Sequence, residues 1–192
     1  MCANTATKSN DILVLFGSPH RNGYTHYALD KLLGYVPEPS NVHLVSAYDL
    51  NINPCTGCGA CQKESSCIYN KDDDFQELDQ LINAADIIIL ASPIYFNGFP
   101  APLKVIIDRF QQYYEKRRYP VFYKKRGLLL LTCGSPDSFQ SSDSIKNAVE
   151  IAFRSINTKL YGCVLVRNTD LTPQNNMSNR EQKQLVASLF LP

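Results

Sequence analysis

The chain has 192 residues and a formal net charge of +1; it is 44% hydrophobic and 19% charged and carries seven cysteines. That size suits one domain over residues 1–192, able to bury on the order of 70% of its unfolded surface without disulfide staples. The near-neutral balance argues against nucleic acid as the main partner, and no run approaches the ~20 apolar residues that cross a bilayer.

An odd number of thiols, with no basic head and long apolar core at the start, points to a reducing, cytoplasmic setting. Residues 1–10 read as a disordered lead-in. The basic patch Lys116-Arg117-Arg118 with Lys124-Lys125-Arg126 reads as a solvated rim around one strand.

Taken in order, Ile12 to Phe16 is a continuous apolar run, the pattern of a strand covered on both faces of a parallel sheet. A loop from Gly17 to Thr25 leads into a helix over Tyr27 to Tyr35, with Leu29, Leu32 and Leu33 on one side. Val42 to Val45 forms a second strand. Asp74 as N-cap and Glu77 at N3 make a capping box, which opens a helix through Leu78, Leu81 and Ile82. The run Asp72 to Asp74 therefore reads as a helix start rather than a ligand set.

Ile87 to Leu90 is the third strand. After a loop from Ala91 to Pro100, Pro102 sits in the first turn of a helix that turns Leu103, Ile106, Ile107 and Phe110 inward. Leu128 to Leu131 is the fourth strand, ending in Thr132-Cys133-Gly134-Ser135-Pro136. A helix spans Asp143 to Asn157, with Ile145, Val149, Ala152, Phe153 and Ile156 inward. Cys163 to Val166 is the fifth strand. A second capping box, Ser178 to Glu181, opens a last helix through Leu185, Val186 and Leu189. Five buried strands alternating with five helices predict an α/β three-layer sandwich around a five-stranded parallel sheet. Ligands bind such sheets beyond the carboxyl ends of the strands.

Three of those ends carry loop chemistry. The first loop stops at a helix N-terminus, where free N–H groups and the dipole favour an anion. Ser18, Arg21, the Gly23 backbone and Thr25 suit one phosphate, hence a mononucleotide; the plainer reading is a tight turn before a helix. The phosphate-binding G-x-x-x-x-G-K pattern and the dinucleotide G-x-G-x-x-G are both absent. In the second loop, Tyr95 and Phe96 beside Asn97-Gly98 can flank a planar ring, or serve as core aromatics. His20 and His26 read as surface or packing residues rather than catalysts.

Between the second strand and the next helix lie Cys55, Cys58, Cys61 and Cys67, in the pattern C-x2-C-x2-C-x5-C. Gly57 and Gly59 let the loop turn so that three sulfurs converge, and Cys67 is near enough to supply a fourth. The first three spacings match a bacterial ferredoxin run and suit a [4Fe–4S] cluster; the last gap is longer, and Ile68 stands where that run has proline. Zinc fits less well, because its usual pattern is two separated pairs. A compact loop of inert buried thiols is the other reading, and the spacing leaves both open.

The chain resembles the flavodoxin-like NAD(P)H-dependent FMN reductases, and most of all their iron–sulfur flavoprotein branch. The resemblance rests on Gly17-Ser18-Pro19 with Gly23-Tyr24-Thr25, the four-cysteine loop, and Ser92-Pro93-Ile94-Tyr95-Phe96-Asn97-Gly98-Phe99-Pro100-Ala101-Pro102-Leu103-Lys104. It implies a flavodoxin-like strand order 2-1-3-4-5 and FMN at the three strand-end loops. Ser18, His20, Arg21, Gly23, Tyr24 and Thr25 would lie at the phosphate. Pro93, Ile94, Tyr95, Phe96, Asn97 and Gly98 would line one edge of the isoalloxazine, with Thr132, Cys133 and Gly134 closing the other side.

It implies too that NAD(P)H supplies a hydride that passes through FMN to a small-molecule or protein electron acceptor, and that Cys55, Cys58, Cys61 and Cys67 ligate a cluster where one is present. No acid–base residue is required. A homodimer or homotetramer is expected, supported by the aromatics Phe96, Phe99, Tyr113, Tyr114, Tyr119 and Phe122 near one end of the sheet. Tyr24 departs from the family pattern, replacing an asparagine near the phosphate. The alternatives are an electron-transfer protein without nicotinamide turnover and a flavin-free binding module, which a colourless purified protein would indicate.

Overall fold

The computed structural model describes residues 9–64, 66–116, 123–135, 142–171, 174–175 and 179–190. The strands are β1 (Asn10–Phe16), β2 (Ser40–Ser46), β3 (Ile87–Pro93), β4 (Lys125–Thr132), β5 (Thr158–Arg167) and the two-residue β6 (Gln174–Asn175). The helices are α1 (Tyr24–Leu33), α2 (Ala60–Lys63), α3 (Phe75–Ala84), α4 (Ala101–Arg109), α5 (Gln111–Lys116), α6 (Asp143–Ser155) and α7 (Asn179–Ser188), with a 3-10 turn at Ile68–Lys71. The sheet order is β2-β1-β3-β4-β5-β6; the first five strands are parallel and β6 pairs antiparallel with β5. The expected order 2-1-3-4-5 is the one observed, extended by a short strand with no apolar signal of its own.

Why the strands read as unbroken apolar runs is visible in the packing. Successive side chains of a strand point to opposite faces. Ile12, Val14 and Phe16 of β1 join Ile87, Ile89, Leu128 and Leu130 in a core closed by Leu29 and Leu32 of α1 and Val186 of α7. Leu13 and Leu15 join Ile88, Leu90, Leu129 and Leu131 in a second core, beneath α3, α4 and α6. Both faces are therefore covered, as a parallel sheet requires.

Four expectations need correction. β2 is an edge strand, with Val42, His43 and Leu44 exposed, so only four of the five anticipated strands are buried. Asn10, counted in the disordered lead-in, belongs to β1 and pairs with Ser40; residues 1–8 lie outside the described residues. Asp74 makes no side-chain cap on α3; its carboxylate accepts from Asn51 N instead, and Asp73 accepts from Phe75 N at 3.0 Å. A cap is present, supplied one residue earlier. The helix expected to run through Phe110 ends at Arg109, and α5 starts at Gln111.

Among the aromatics read as an exposed cluster, Tyr113 packs on Phe75 and Phe110, Phe99 is half-buried, and Phe96 and Tyr114 are exposed. Tyr119, Phe122, Arg117, Arg118 and Ser178 lie outside the described residues. Lys124, next to β4, is exposed as a rim residue should be.

Register then sets the site. Phe16 pairs with Ser46 and with Ala91, and Pro93 with Thr132, so β1, β2, β3 and β4 release their loops at one edge. At the opposite end, the Phe153 ring lies so close to Gly127 that a Cβ there would fall 2.4 Å from it. Phe153 is fully buried. Phe153→Ala is expected to cost about 3–5 kcal/mol of stability, read as a lower urea midpoint with unchanged slope; an unchanged midpoint would contradict this packing.

Candidate functional site

The first loop leaves β1 at Gly17, whose N–H donates to Ala91 O at 2.8 Å and ties it to β3. Ser18 is buried, and its Oγ accepts from His20 N at 3.2 Å. Gly23 N donates back to His20 O at 3.2 Å, closing a tight turn. Gly23 is the N-cap residue of α1 and provides no side-chain cap. The first N–H groups of a ten-residue helix therefore lack a side-chain acceptor, which is the property of an anion-binding end.

Thr25 is buried, and its hydroxyl shares a 2.7 Å hydrogen bond with that of Thr132. This bond joins the first loop's helix to the end of β4. His20 and Arg21 are exposed, and the Arg21 guanidinium donates to Asp49 at 2.5 Å. Asp49, from the turn after β2, was not anticipated; nothing in local sequence pairs residues 28 positions apart. Tyr24 is exposed and borders, with Tyr27 and Lys31, an open cavity of about 550 Å³ beside Gly23. His26 stacks edge-on against Phe16, consistent with a packing role.

The second loop is a tight reversal: Gly98 N donates to Tyr95 O at 2.9 Å, and Tyr95 N donates to Gly98 O at 3.1 Å. Phe96 has φ +49° and Asn97 φ +57°, as in a type I′ turn. Asparagine tolerates this region; phenylalanine does so at a cost of about 1–3 kcal/mol. Phe96 is also fully exposed, at 102% of its reference area. Ile94 is buried and donates its N–H to Thr132 O at 2.8 Å, while Pro93 is half-buried. Tyr48 stands near Tyr95; burial and then the Tyr95 charge push its phenol up from the ordinary value. Sequence reading also missed Tyr48.

In the third loop, Cys133 N donates to Val166 O at 2.9 Å, and its side chain packs within the core. Its carbonyl accepts from Thr169 N at 3.1 Å, and its thiol donates to Ser135 O at 3.6 Å. Gly134 lies against Asp170, whose carboxylate would stand 2.1 Å from a Cβ added there. Bonds between Gly17 and Ala91, Ile94 and Thr132, and Thr25 and Thr132 thus hold three sequence-distant loops together.

The four-cysteine loop follows β2. Gly57 and Gly59 have φ of +67° and +72°, the left-handed turns that place Cys58 between them and start α2. Cys61 lies on α2, and Cys67 caps the 3-10 turn. Cys55, Cys58, Cys61 and Cys67 all line one cavity of about 360 Å³, together with Tyr69 and Arg109. Cys55 and Cys58 are exposed; Cys61 and Cys67 are half-buried. Burial pushes the Cys61 thiol up; its own backbone hydrogen bond opposes this, and the neighbouring Cys67, Glu115 and Cys55 add to it. Among the described residues, no three His, Cys, Asp or Glu side chains form a group that closes on a metal ion. The three sulfurs expected to converge therefore share a cavity without meeting at one point.

Beneath the loop sits an ion pair that sequence reading did not find. Arg109 is 1% exposed and contacts the fully buried Asp73 carboxylate. Burial works to raise the Asp73 carboxyl, but bonds from Arg109, Asn53 N and Phe75 N outweigh it and hold it below its ordinary 3.8.

A flavodoxin-like sheet with three tied loops beyond its carboxyl edge defines a mononucleotide-binding class of α/β protein. The comparisons narrow this. A family model described as NADPH-dependent FMN reductase matches residues 10–157. An iron–sulfur flavoprotein of Archaeoglobus fulgidus is 37% identical over 103 residues, covering 52% of this chain and 44% of that one. Another, from Methanocaldococcus jannaschii, is 35% identical over 99 residues, 51% of this chain and 50% of the relative.

In fold, the chain is similar to an NAD(P)H:quinone oxidoreductase from Methanothermobacter marburgensis, with TM-score 0.63, 16% identity, and coverage of 94% of this chain and 97% of that one. An apo NADH:FMN oxidoreductase gives TM-score 0.59 at 20% identity, covering 94% and 88%. The chain belongs to the NADPH-dependent FMN reductase family. It spans about half the length of the curated relatives it matches. No helix among the described residues is long and apolar enough to cross a membrane.

A carboxyl held below 3.8 contributes stability that is present above that pH and is lost as pH falls through the lower folded value. Thermal midpoints followed from about pH 6 to about pH 2 should therefore fall for the wild type. Asp73→Asn should start lower and fall less; parallel curves would show that Asp73 is not the acid-sensitive group.

Proposed function

We propose that the chain is an FMN-dependent oxidoreductase that carries reducing equivalents from NAD(P)H through FMN to a small-molecule or protein acceptor. The observation that supports this most is the uncapped N-terminus of α1, set beside two further strand-end loops held to it by hydrogen bonds. FMN, when bound, supplies the redox chemistry. The residues bind and orient. Ser18 and the N–H groups of Tyr24 and Thr25, just after Gly23, would face the phosphate, with His20 and Arg21 at the rim. Pro93, Ile94, Tyr95, Phe96, Asn97 and Gly98 flank one side of the ring site, and Thr132, Cys133 and Gly134 the other. The exposed, strained Phe96 gains most from being covered, either by the ring or by a second copy of the chain, and supports an oligomer. Residues 1–192 act as one domain, and the six described cysteines, all free thiols, support a reducing cytoplasmic location.

The four-cysteine loop holds a [4Fe–4S] cluster in this proposal. The shared cavity supports it, as does the company of iron–sulfur flavoproteins among the relatives. The cluster would let the protein deliver single electrons.

Anaerobically purified protein is expected to release one FMN per chain and to oxidise NADH or NADPH in steady state. FAD at full occupancy, or a colourless protein, would refute the flavin reading. Ser18→Ala is expected to weaken FMN by about 1.5–3 kcal/mol, the worth of a hydroxyl bond to a charged acceptor. Asp49→Asn should release Arg21 and tighten FMN a few-fold at low salt, the gain fading as salt rises. Cys58→Ser should abolish bound iron and sulfide and leave FMN in place. Retention of less than about one iron per chain by reconstituted wild type, where a filled cubane holds four, would disprove the cluster.

A further inference from the structure

We propose that Arg109 is the positioning residue of the four-cysteine site, holding the two arms of the loop so that the thiols face one cavity and setting the charge beneath it. This rests on the cluster reading above.

Both arms of the loop end on the same guanidinium. Before Cys55, Asn53 O accepts from Arg109 Nη1 at 2.9 Å, and Asn53 N donates to Asp73 at 3.0 Å. After Cys67, Asn70 Oδ1 accepts from Arg109 Nη2 at 2.6 Å. Asp73 accepts from Nη1 and fixes the fork. The plane of the group is held by Phe75, 4.6 Å from its ring centre, and by Tyr69 at 5.7 Å. One helical turn on, Gln112 Oε1 accepts from Cys67 N at 3.3 Å and from Asn70 Nδ2 at 3.0 Å. So Asn53, Asn70 and Cys67 are all pinned from the end of α4 and the start of α5.

Stability alone does not call for this arrangement. A buried ion pair is often matched or bettered by apolar side chains of equal volume. A Lys would keep the charge but lose the planar fork that reaches two arms at once. Two further facts point toward the cavity. Arg109 lines it together with the four cysteines. Its Nε is buried and has no hydrogen-bond partner, although both Nη groups are engaged. A buried N–H without a partner is costly, and an acceptor among the thiolates, or in the group they hold, would satisfy it. Cys61 and Cys67 are half-buried, while Cys55 and Cys58 are open to solvent.

Two readouts test this. The first uses chain stripped of iron and titrated with Cd(II), following the ultraviolet thiolate-to-metal band. Arg109→Lys and Gln112→Ala are expected to weaken Cd(II) binding about 10- to 100-fold, the scale of lost support to metal ligands. Gln112→Ala removes only uncharged contacts and guards against a variant that fails to fold.

The second is the midpoint potential of the reconstituted cluster, because nearby positive charge favours the reduced, more negative form. Asp73→Asn, which leaves Arg109 uncompensated, should raise it, and Arg109→Gln should lower it. A residue with a merely structural role would not move the potential in opposite directions. Equal Cd(II) affinities in wild type and both variants, or an unmoved potential in Asp73→Asn, would overturn the proposal while leaving the cluster reading intact. Cd(II) affinities in the expected order without retained iron would sustain Arg109's role and sink the cluster. Wild type that takes up neither metal would refute both.

Discussion

Parallel pairing in common register is the constraint on which the rest depends. Because β1, β3, β4 and β5 run the same way, each must leave the sheet at the same edge and return through a helix. Residues 107 positions apart, Thr25 and Thr132, meet there in a hydrogen bond. The helices that make those returns cover both faces, so strand residues of either parity are apolar. Stability therefore resides in the two cores. The loops at the edge are free to carry hydroxyls, exposed aromatics and left-handed turns that no core would tolerate.

That division explains what was legible in the sequence. Core strands announce themselves, because burial on both faces leaves no polar position in Ile12 to Phe16 or Leu128 to Leu131. The edge strand β2 was located but misjudged as buried: Val42 and Leu44 are apolar, and composition does not tell a covered strand from one beside solvent. The two residues of β6 were invisible because a strand that short carries no period. The α3 cap was displaced by one residue, since Asp72, Asp73 and Asp74 are equivalent on paper. Only the partners Asn51, Asn53 and Arg109 distinguish them.

The candidate site was read unevenly for the same reason. Loops that follow strands could be named from position alone. Electrostatic pairs could not: Arg21 with Asp49 and Arg109 with Asp73 join residues 28 and 36 apart. A lone arginine at the end of an amphipathic helix looks like a solvated helix end, favoured there by the dipole. Its complete burial is a tertiary fact. So is the burial of Cys133 after β4, whose side chain joins the core while its thiol donates to Ser135 O.

One element links the two halves of the site. α4 begins directly after the strained turn at Phe96 and Asn97 and ends at Arg109 beneath the cysteine loop. Eight residue steps of α-helix span about 12 Å, so the two loops stand one short, rigid helix apart. Leu103 and Ile106 bury its inner face, and Leu103 also abuts Gly17, where an added Cβ would fall 2.4 Å from its side chain. The helix is thereby wedged against the first loop as well. It cannot shift toward the sheet without closing on Gly17, nor away from it without opening the core. The turn at Phe96 and Asn97, the first loop and the floor of the cysteine loop are therefore fixed relative to one another by packing. Such fixity suits a protein whose proposed work is to move electrons between two resident groups, because the separation of those groups is then a property of the core rather than of the loops.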